Sequence, residues 1–299
     1  MKQTLFNAGK SLFWKAAPLL PDALRLKILF RRTHGAWPDL HNPRTFSEKV
    51  QWRKLHDRRD TLTLFADKYR VRDYVAARIG AQHLAESYWA SESAQTLPFD
   101  ELPQKFVLKA NHGTRWNILV PDKSAADRAQ LVSTLDEWLH SRYPPEQGEW
   151  GYLNVRPLAF AEEFLSTRAG EIPVDFKFFV FNGSVRMIQV DLERFIAHSR
   201  CLYDPDWNLL PAVMGYPRGK GYPQPDNLAE MIRCAEQLAA GIDFVRVDLY
   251  NVDGRIVFGE LTNYPGGGLE EFTPASFDAT VGGWWKLDDV SRPAGSSAA

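Results

Sequence analysis

Between residues 45 and 80 the apolar side chains return every three or four positions, through Val50, Trp52, Leu55, Leu62, Phe65, Tyr69, Val71, Val75 and Ile79. That spacing predicts helices with one buried stripe. Pro43 and Ser47-Glu48 signal the start of the first, and Gly80 signals an end. The pattern then shortens. Residues 105–110, Lys-Phe-Val-Leu-Lys-Ala, carry the β-branched and aromatic character of a buried strand, Asn111-His112-Gly113-Thr114 reads as a turn, and residues 117–120 read as a return strand. Residues 125–139 regain helical periodicity. From residue 158 short runs predict strands over 159–165, 175–181, 185–190, 245–250 and 255–261, with one helix over 227–240. Asn182-Gly183 and Asp253-Gly254 sit between such runs and favour the positive φ values of tight hairpins. No segment repeats at a fixed period.

The expected fold class is therefore α+β. A basic N-terminal segment covers 1–35, a helical region 36–104, a small α/β lobe 105–157, a larger antiparallel lobe 158–288 and a disordered tail 289–299. With 299 residues the chain can bury a core of enzyme size. Its 44% apolar content and formal net charge of −1 exclude a disordered chain and give no field for a nucleic-acid partner. The two cysteines, Cys201 and Cys234, lack the paired spacing of a zinc site or disulfide framework, so a reducing cytoplasm is the expected compartment. Lys10 and Lys15 interrupt any signal-type apolar core, and no run is long enough to span a membrane. Residues 1–35 mix leucine and phenylalanine with lysine and arginine. This composition predicts amphipathic helices packed on the body, with peripheral docking at the inner membrane face as the alternative.

Candidate chemistry concentrates in residues 244–266. A hairpin at Asp253-Gly254 brings Asp248 and Glu260 to similar heights on adjacent strands, where two close carboxylates suit a hard cation such as Mg²⁺. Arg246 shares the face of Asp248 by strand alternation. An ordinary cross-strand ion pair would explain these three residues, but it leaves Thr262, Asn263 and the run Gly266-Gly267-Gly268 unexplained. Glycines there let backbone N–H groups approach an anion. Lys109 ends a strand beside a glycine turn, a placement suited to phosphate oxygens.

Together these features resemble the ATP-grasp superfamily, and in particular its TupA-like branch, the teichuronopeptide-type amide ligases associated with cell-surface polysaccharides. The resemblance covers roughly residues 35–287. It rests on Asn42-Pro43-Arg44-Thr45-Phe46-Ser47-Glu48-Lys49, Asp67-Lys68-Tyr69, Phe106-Val107-Leu108-Lys109, Asn111-His112-Gly113, Ala161-Glu162-Glu163-Phe164-Leu165, Asp175-Phe176-Lys177-Phe178-Phe179 and residues 246–266. It implies an ATP-grasp fold with ATP held between the two lobes. Lys68 and Lys109 would hold ATP phosphates with Gly113 in the phosphate loop, the backbone of Glu162, Glu163, Phe164 and Leu165 would meet adenine, and Asp175 would contact ribose. Asp248 and Glu260 would ligate Mg²⁺ together with Thr262 or Asn263, while Arg246 and the Gly266 N–H would stabilise a tetrahedral intermediate. The sequence departs from the family pattern in Thr114-Arg115-Trp116, where small residues and glycines are usual.

The implied reaction joins a small or glycan-linked carboxylate, such as a uronic acid, to an amine such as an amino acid. An acyl phosphate would be the intermediate. Competing readings are a kinase of sugar or polyol hydroxyls on the same scaffold, a polysaccharide glycosyltransferase, and a non-catalytic nucleotide-binding protein.

Overall fold

The computed structural model describes residues 17–192 and 197–288. The expected tail 289–299 and residues 1–16 of the basic segment lie outside them. Helix α1 (Asp22–His34) buries Arg25, Leu26, Leu29 and Phe30 against the body. Among the described residues no helix is long and apolar enough to cross a membrane.

The helical periodicity of residues 45–80 resolves into α2 (Phe46–His56), α3 (Asp60–Ala66) and α4 (Val71–Ile79). Helix α2 begins on a capping box: the Thr45 hydroxyl accepts from the Glu48 N–H at 3.1 Å, and the Glu48 carboxylate accepts from the Thr45 N–H at 3.1 Å. Such a cap contributes about 1 kcal/mol. Arg53 of α2 is fully buried and donates to Asp243 at 2.6 Å and to the Phe244 carbonyl at 2.8 Å. Its guanidinium also lies 4.5 Å from the ring centroid of Trp285, so this helix is fixed to the body by charge as well as by apolar contact.

Strand β1 (Ser87–Ser91) opens the small lobe and is followed by β2 (Phe106–Ala110), β3 (Asn117–Val120), α5 (Arg128–His140), the short α6 (Trp150–Leu153) and β4 (Ala159–Glu163). These strands form a four-stranded sheet in the order β1-β4-β2-β3, with antiparallel neighbours. Two expectations are corrected here. Residues 159–163, assigned to the large lobe, pair with β2 in the small one. The region 36–104, expected as a helical region, also contains β1. Every residue of β1 is half-buried, so it carries no alternation for a sequence pattern to reveal.

The large lobe comprises β5 (Asp175–Phe181), β6 (Ser184–Leu192), β7 (Ser199–Tyr203), β8 (Val213–Met214), α7 (Leu228–Leu238), β9 (Phe244–Val252), β10 (Arg255–Thr262), β11 (Phe272–Thr273) and α8 (Ser276–Trp284). Its antiparallel sheet runs β10-β9-β5-β6-β7, and β8 pairs separately with β11. Both predicted hairpins form, with Asn182, Gly183, Asp253 and Gly254 all at positive φ. Alternation splits the sheet's residues between two faces. Phe176, Phe178, Val245, Val247 and Leu249 share one core with Met231, Ala235 and Leu238 of α7. Phe179, Phe181 and Phe244 pack on the other side against Phe46, Val50 and Trp285. The rest of that second side carries the charged residues.

Candidate active site

Asp248 and Glu260 face one another because of an irregularity. From the turn onward the hairpin register runs Val252 to Arg255 down to Leu249 to Phe258, and then shifts so that Asp248 pairs with Glu260. The extra residue is Gly259. Such a bulge reverses the alternation of everything beyond it, which puts Glu260 and Thr262 on the face opposite Phe258. A side chain at Gly259 would lie 3.1 Å from the Asp248 carbonyl oxygen, so glycine also allows the strands to stay close.

Five charges from three strands meet on this face. Arg246 donates through Nε to Asp248 Oδ1 at 2.7 Å, and through one terminal nitrogen to Asp248 Oδ2 at 2.7 Å, Glu260 Oε1 at 2.8 Å and the Thr262 hydroxyl at 3.0 Å. Lys177, on the neighbouring β5, is buried and bridges Asp175 to Asp248 at 2.6 Å. Lys68 approaches Glu260 at 3.7 Å from the turn between α3 and α4. Burial pushes the Asp248 carboxyl up to about 6, against the pull of Arg246 and Lys177. Burial acts on Glu260 in the same sense, but Lys68 and Arg246 more than offset it and hold that carboxyl well below the usual range. The ammonium of Lys177 is lowered by burial and raised by Asp175 and Asp248, with a net shift upward.

Across a cavity of about 270 Å³ from this cluster lies the loop joining β2 to β3. Lys68, Lys109, Arg115, Asp175, Lys177, Asp248 and Glu260 all line it. Lys109 is held by Glu162 of the adjacent strand. Asn111 fixes the base of the loop, donating to Asp67 at 2.9 Å and to the Arg156 carbonyl at 3.0 Å while accepting from Leu158 N–H at 2.8 Å. Its own carbonyl accepts from the Lys68 N–H at 3.1 Å, which ties the Lys68 turn to the loop. Arg115 takes a φ of 62°, rare for a residue with a side chain, and reaches both this cavity and a second one.

The second cavity, about 500 Å³, adjoins the first across Glu260. Arg246, Thr262, Tyr264, Gly266, Gly267 and Glu270 line it, with the stacked pair Tyr143 and Tyr152 opposite, their ring centroids 4.3 Å apart. Gly266, Gly267 and Gly268 take φ values of 56°, 62° and 65° in succession. Helix α2 holds their carbonyls: Gln51 donates to Gly267 at 2.8 Å and Lys54 to the same oxygen at 2.9 Å. With these carbonyls drawn back onto α2, the glycine run forms a rigid turn at the cavity wall.

The structure thus brings Lys68, Lys109, Asp175, Asp248 and Glu260 to the first cavity, and Arg246, Glu260, Thr262 and Gly266 to the second. Asn263 does not join them. It is buried on the other face of β10, donating to the Leu62 carbonyl at 2.8 Å, so Thr262 is the oxygen donor beside Glu260, at 2.8 Å. Gly113 lies beneath the Trp116 ring, which a side chain there would strike, and Glu162, Glu163, Phe164 and Leu165 lie outside the lining of both cavities. Sequence reasoning missed Lys177 and Glu270. The lysine reads as one polar position in an alternating strand, and only its cross-strand neighbours Asp248 and Gln189 give it a task.

Two carboxylates and a hydroxyl are hard oxygen donors, a set that fits a Mg²⁺ taking its remaining ligands from phosphate and water. Among the described residues no group of three or more His, Cys, Asp or Glu forms a closed metal cage.

The sequence model of the TupA-like ATP-grasp family matches residues 48–286. No curated protein matches the chain. Solved structures show distant likenesses. D-alanine–D-alanine ligase from Bacillus anthracis is 17% identical with a TM-score of 0.41, over 68% of this chain and 58% of the ligase. The ATP-grasp ligase PsnB, complexed with minimal precursor, Mg and ADP, is 13% identical with a TM-score of 0.38, over 73% of this chain and 57% of PsnB. N5-carboxyaminoimidazole synthase from Aspergillus clavatus is 13% identical with a TM-score of 0.39, over 67% of this chain and 44% of the synthase. The chain therefore spans less than two thirds of the length of each.

Proposed function

The chain belongs to the TupA-like ATP-grasp family, and from that premise we propose that it is an ATP- and Mg²⁺-dependent carboxylate–amine ligase that forms an amide through an acyl phosphate. The pathway we infer is cell-surface polysaccharide biosynthesis, with a uronic acid as the carboxylate and an amino acid as the amine. Lys68, Lys109 and Arg115 hold the nucleotide phosphates in the first cavity. Asp248, Glu260 and Thr262 hold Mg²⁺, which supplies neutralisation of the phosphate charge. Lys177 keeps Asp175 and Asp248 in place, and binding in the cavity positions the acid for attack on the γ-phosphate.

The observation that carries this reading is the second cavity, where Arg246 and Gly266 line one wall on the far side of Glu260 from the phosphate-binding lysines. A guanidinium and a glycine N–H beyond the transferred phosphate suit an oxyanion that develops on carbon as the amine attacks. A hydroxyl kinase has no such species to stabilise. The test supplies ATP, Mg²⁺ and uronic acids labelled with ¹⁸O in the carboxylate, with and without amino acids. One labelled oxygen should appear in released phosphate together with amide, because that oxygen bridges carbon and phosphorus before the amine displaces it. A stable phosphoester with no label in phosphate would replace the ligase with a kinase.

A further inference from the structure

A third cavity, about 560 Å³, continues from the second and shares Leu269 and Glu270 with it. It runs past Gly215, Tyr216 and Glu271 toward Thr273 on the outside of the large lobe. Glu270 stands at the junction. Its stem lies directly on the catalytic glycine turn: a side chain at Gly266 would sit 2.6 Å from Glu270 Cγ and 2.8 Å from its carboxyl carbon. The same carboxyl group packs over Gly215, where an added side chain would lie 3.3 Å away. Two glycines with positive φ thus make room for one carboxylate.

That carboxylate is held firmly yet open to the cavities. Oε2 accepts from the Arg200 guanidinium at 2.8 Å, and the side chain remains 31% exposed. Arg200 is itself buried; it donates to Asp191 at 2.6 Å and to the Met214 carbonyl at 2.8 Å, and its guanidinium lies 4.8 Å from the Tyr216 ring centroid. Asp191 receives two further hydrogen bonds from Gln189, at 3.1 and 3.0 Å. Among the described residues one guanidinium therefore serves two carboxylates, with the His198 ring 3.3 Å from Asp191, so the unit has more carboxylates than guanidinium groups. Among the described residues the other nearby cations are committed or stand elsewhere, Lys177 to Asp175 and Asp248. Arg246 is engaged by Asp248 and Glu260, and Arg115 belongs to the phosphate loop. A cationic ligand group at Glu270 would restore balance, and a carboxylate fixed in position loses little entropy in binding it.

We propose that Glu270 receives the amine substrate, binding its ammonium group beside Gly266 at the junction of the second and third cavities, with Arg200 and Asp191 as positioning residues. The rest of the amine compound then leaves along the third cavity toward Tyr216. This deepens the ligase reading and rests on it, since that reading supplies the need for an amine next to the oxyanion position.

The test is calorimetry on the full chain saturated with Mg²⁺ and a non-hydrolysable ATP analogue. Alanine is compared with lactate, serine with glycerate, and ethanolamine with ethylene glycol, so that each pair exchanges an ammonium for a hydroxyl. The wild type should bind the amine of each pair about tenfold or more tightly, the range of a charge-assisted hydrogen bond. Glu270→Gln should lose that preference while binding the hydroxyl compounds unchanged, and Glu270→Asp, which keeps the charge on a shorter stem, should retain part of it. Equal preference in Glu270→Gln and wild type would overturn the proposal, as would no preference in the wild type. Melting temperature and nucleotide titration report folding, and if Glu270→Gln does not fold, complete loss of preference in a folded Glu270→Asp counts against the proposal. Failure of the wild type to bind nucleotide would remove the ligase reading instead, and the same pairs titrated without nucleotide would still judge Glu270.

Discussion

The two faces of strands β5 and β9 are built from the same alternating pattern but meet opposite fates. On one, Phe176, Phe178, Val245, Val247 and Leu249 are sealed beneath α7, and all five are apolar. On the other, Asp175, Lys177, Arg246 and Asp248 are almost as deeply buried, yet all are charged. The first face contributes stability through area removed from water. The second costs desolvation and recovers it only because each charge has a partner at hydrogen-bond distance. Cost concentrated on one face of an otherwise apolar sheet marks where ligands are handled, since folding alone would be served as well by valine.

The sharpest separation of the two faces comes from truncating the sealed one. Phe178 is fully buried and pairs with Val247 on the neighbouring strand. Phe178→Ala should cost about 3–5 kcal/mol of stability through lost transfer energy and a residual cavity. The molecules that remain folded should bind Mg²⁺-ATP with unchanged affinity. Denaturant titration and calorimetry check the two halves of the claim. A large change in nucleotide affinity in the folded fraction would mean that the faces are not independent.

The opposite experiment leaves composition alone and changes register. Inserting a second glycine after Gly259 leaves Phe258 and the turn in place and, with the one-residue bulge kept, sets the new glycine opposite Asp248, so Glu260 and Thr262 must turn to the other face or the strand must shift by one residue. Turnover of ATP with the labelled-acid assay should fall by about 100-fold or more, because both a metal carboxylate and a partner of Arg246 leave the site. Deleting Gly259 removes the bulge yet leaves Glu260 opposite Asp248 on the same face, so that variant should keep most of its turnover. Near-normal turnover in the insertion variant would show that strand register does not aim Glu260 into the site.

That bulge also explains how far the sequence could be read. The hairpin was legible from Asp253-Gly254, and the meeting of Asp248 with Glu260 was expected from it. A regular two-residue hairpin, however, would oppose Asp248 to Gly259, and only the glycine inside a strand run hints at the shift. Helices α2, α4 and α7 announced themselves through 3.6-residue stripes because each has a single buried side. Strand β1, half-buried at every position, gave no alternation, and the two-residue strands β8 and β11 are too short to carry a period. Lys177 and Glu270 were illegible for a different reason. Their roles depend on neighbours brought from other strands and loops, and nothing in the adjoining sequence distinguishes them from exposed charges.

The smallest expected effect lies where the lobes touch at the surface. Glu163, whose backbone is expected in the adenine hinge, accepts with its carboxylate from both Arg255 terminal nitrogens, at 2.8 and 3.0 Å, and so links β4 of the small lobe to β10 of the large one. Hydrogen bonding from Arg255 outweighs burial and lowers the Glu163 carboxyl below its ordinary 4.5. A depressed carboxylate stabilises the fold fully above the unfolded value near 4.5, and that contribution shrinks as pH falls further, vanishing below the folded pKa. The pair is largely exposed, Arg255 by 43%, so solvent screening limits it to about 0–1 kcal/mol. Glu163→Gln should therefore lower the melting temperature slightly at pH 7 and not at all well below pH 4, where the wild type has lost the same charge. Salt should shrink the pH 7 difference. Nucleotide affinity should be unchanged, because neither residue lines either cavity of the site. A large loss of affinity in this variant would return Glu163 to the nucleotide and make the latch a part of the site.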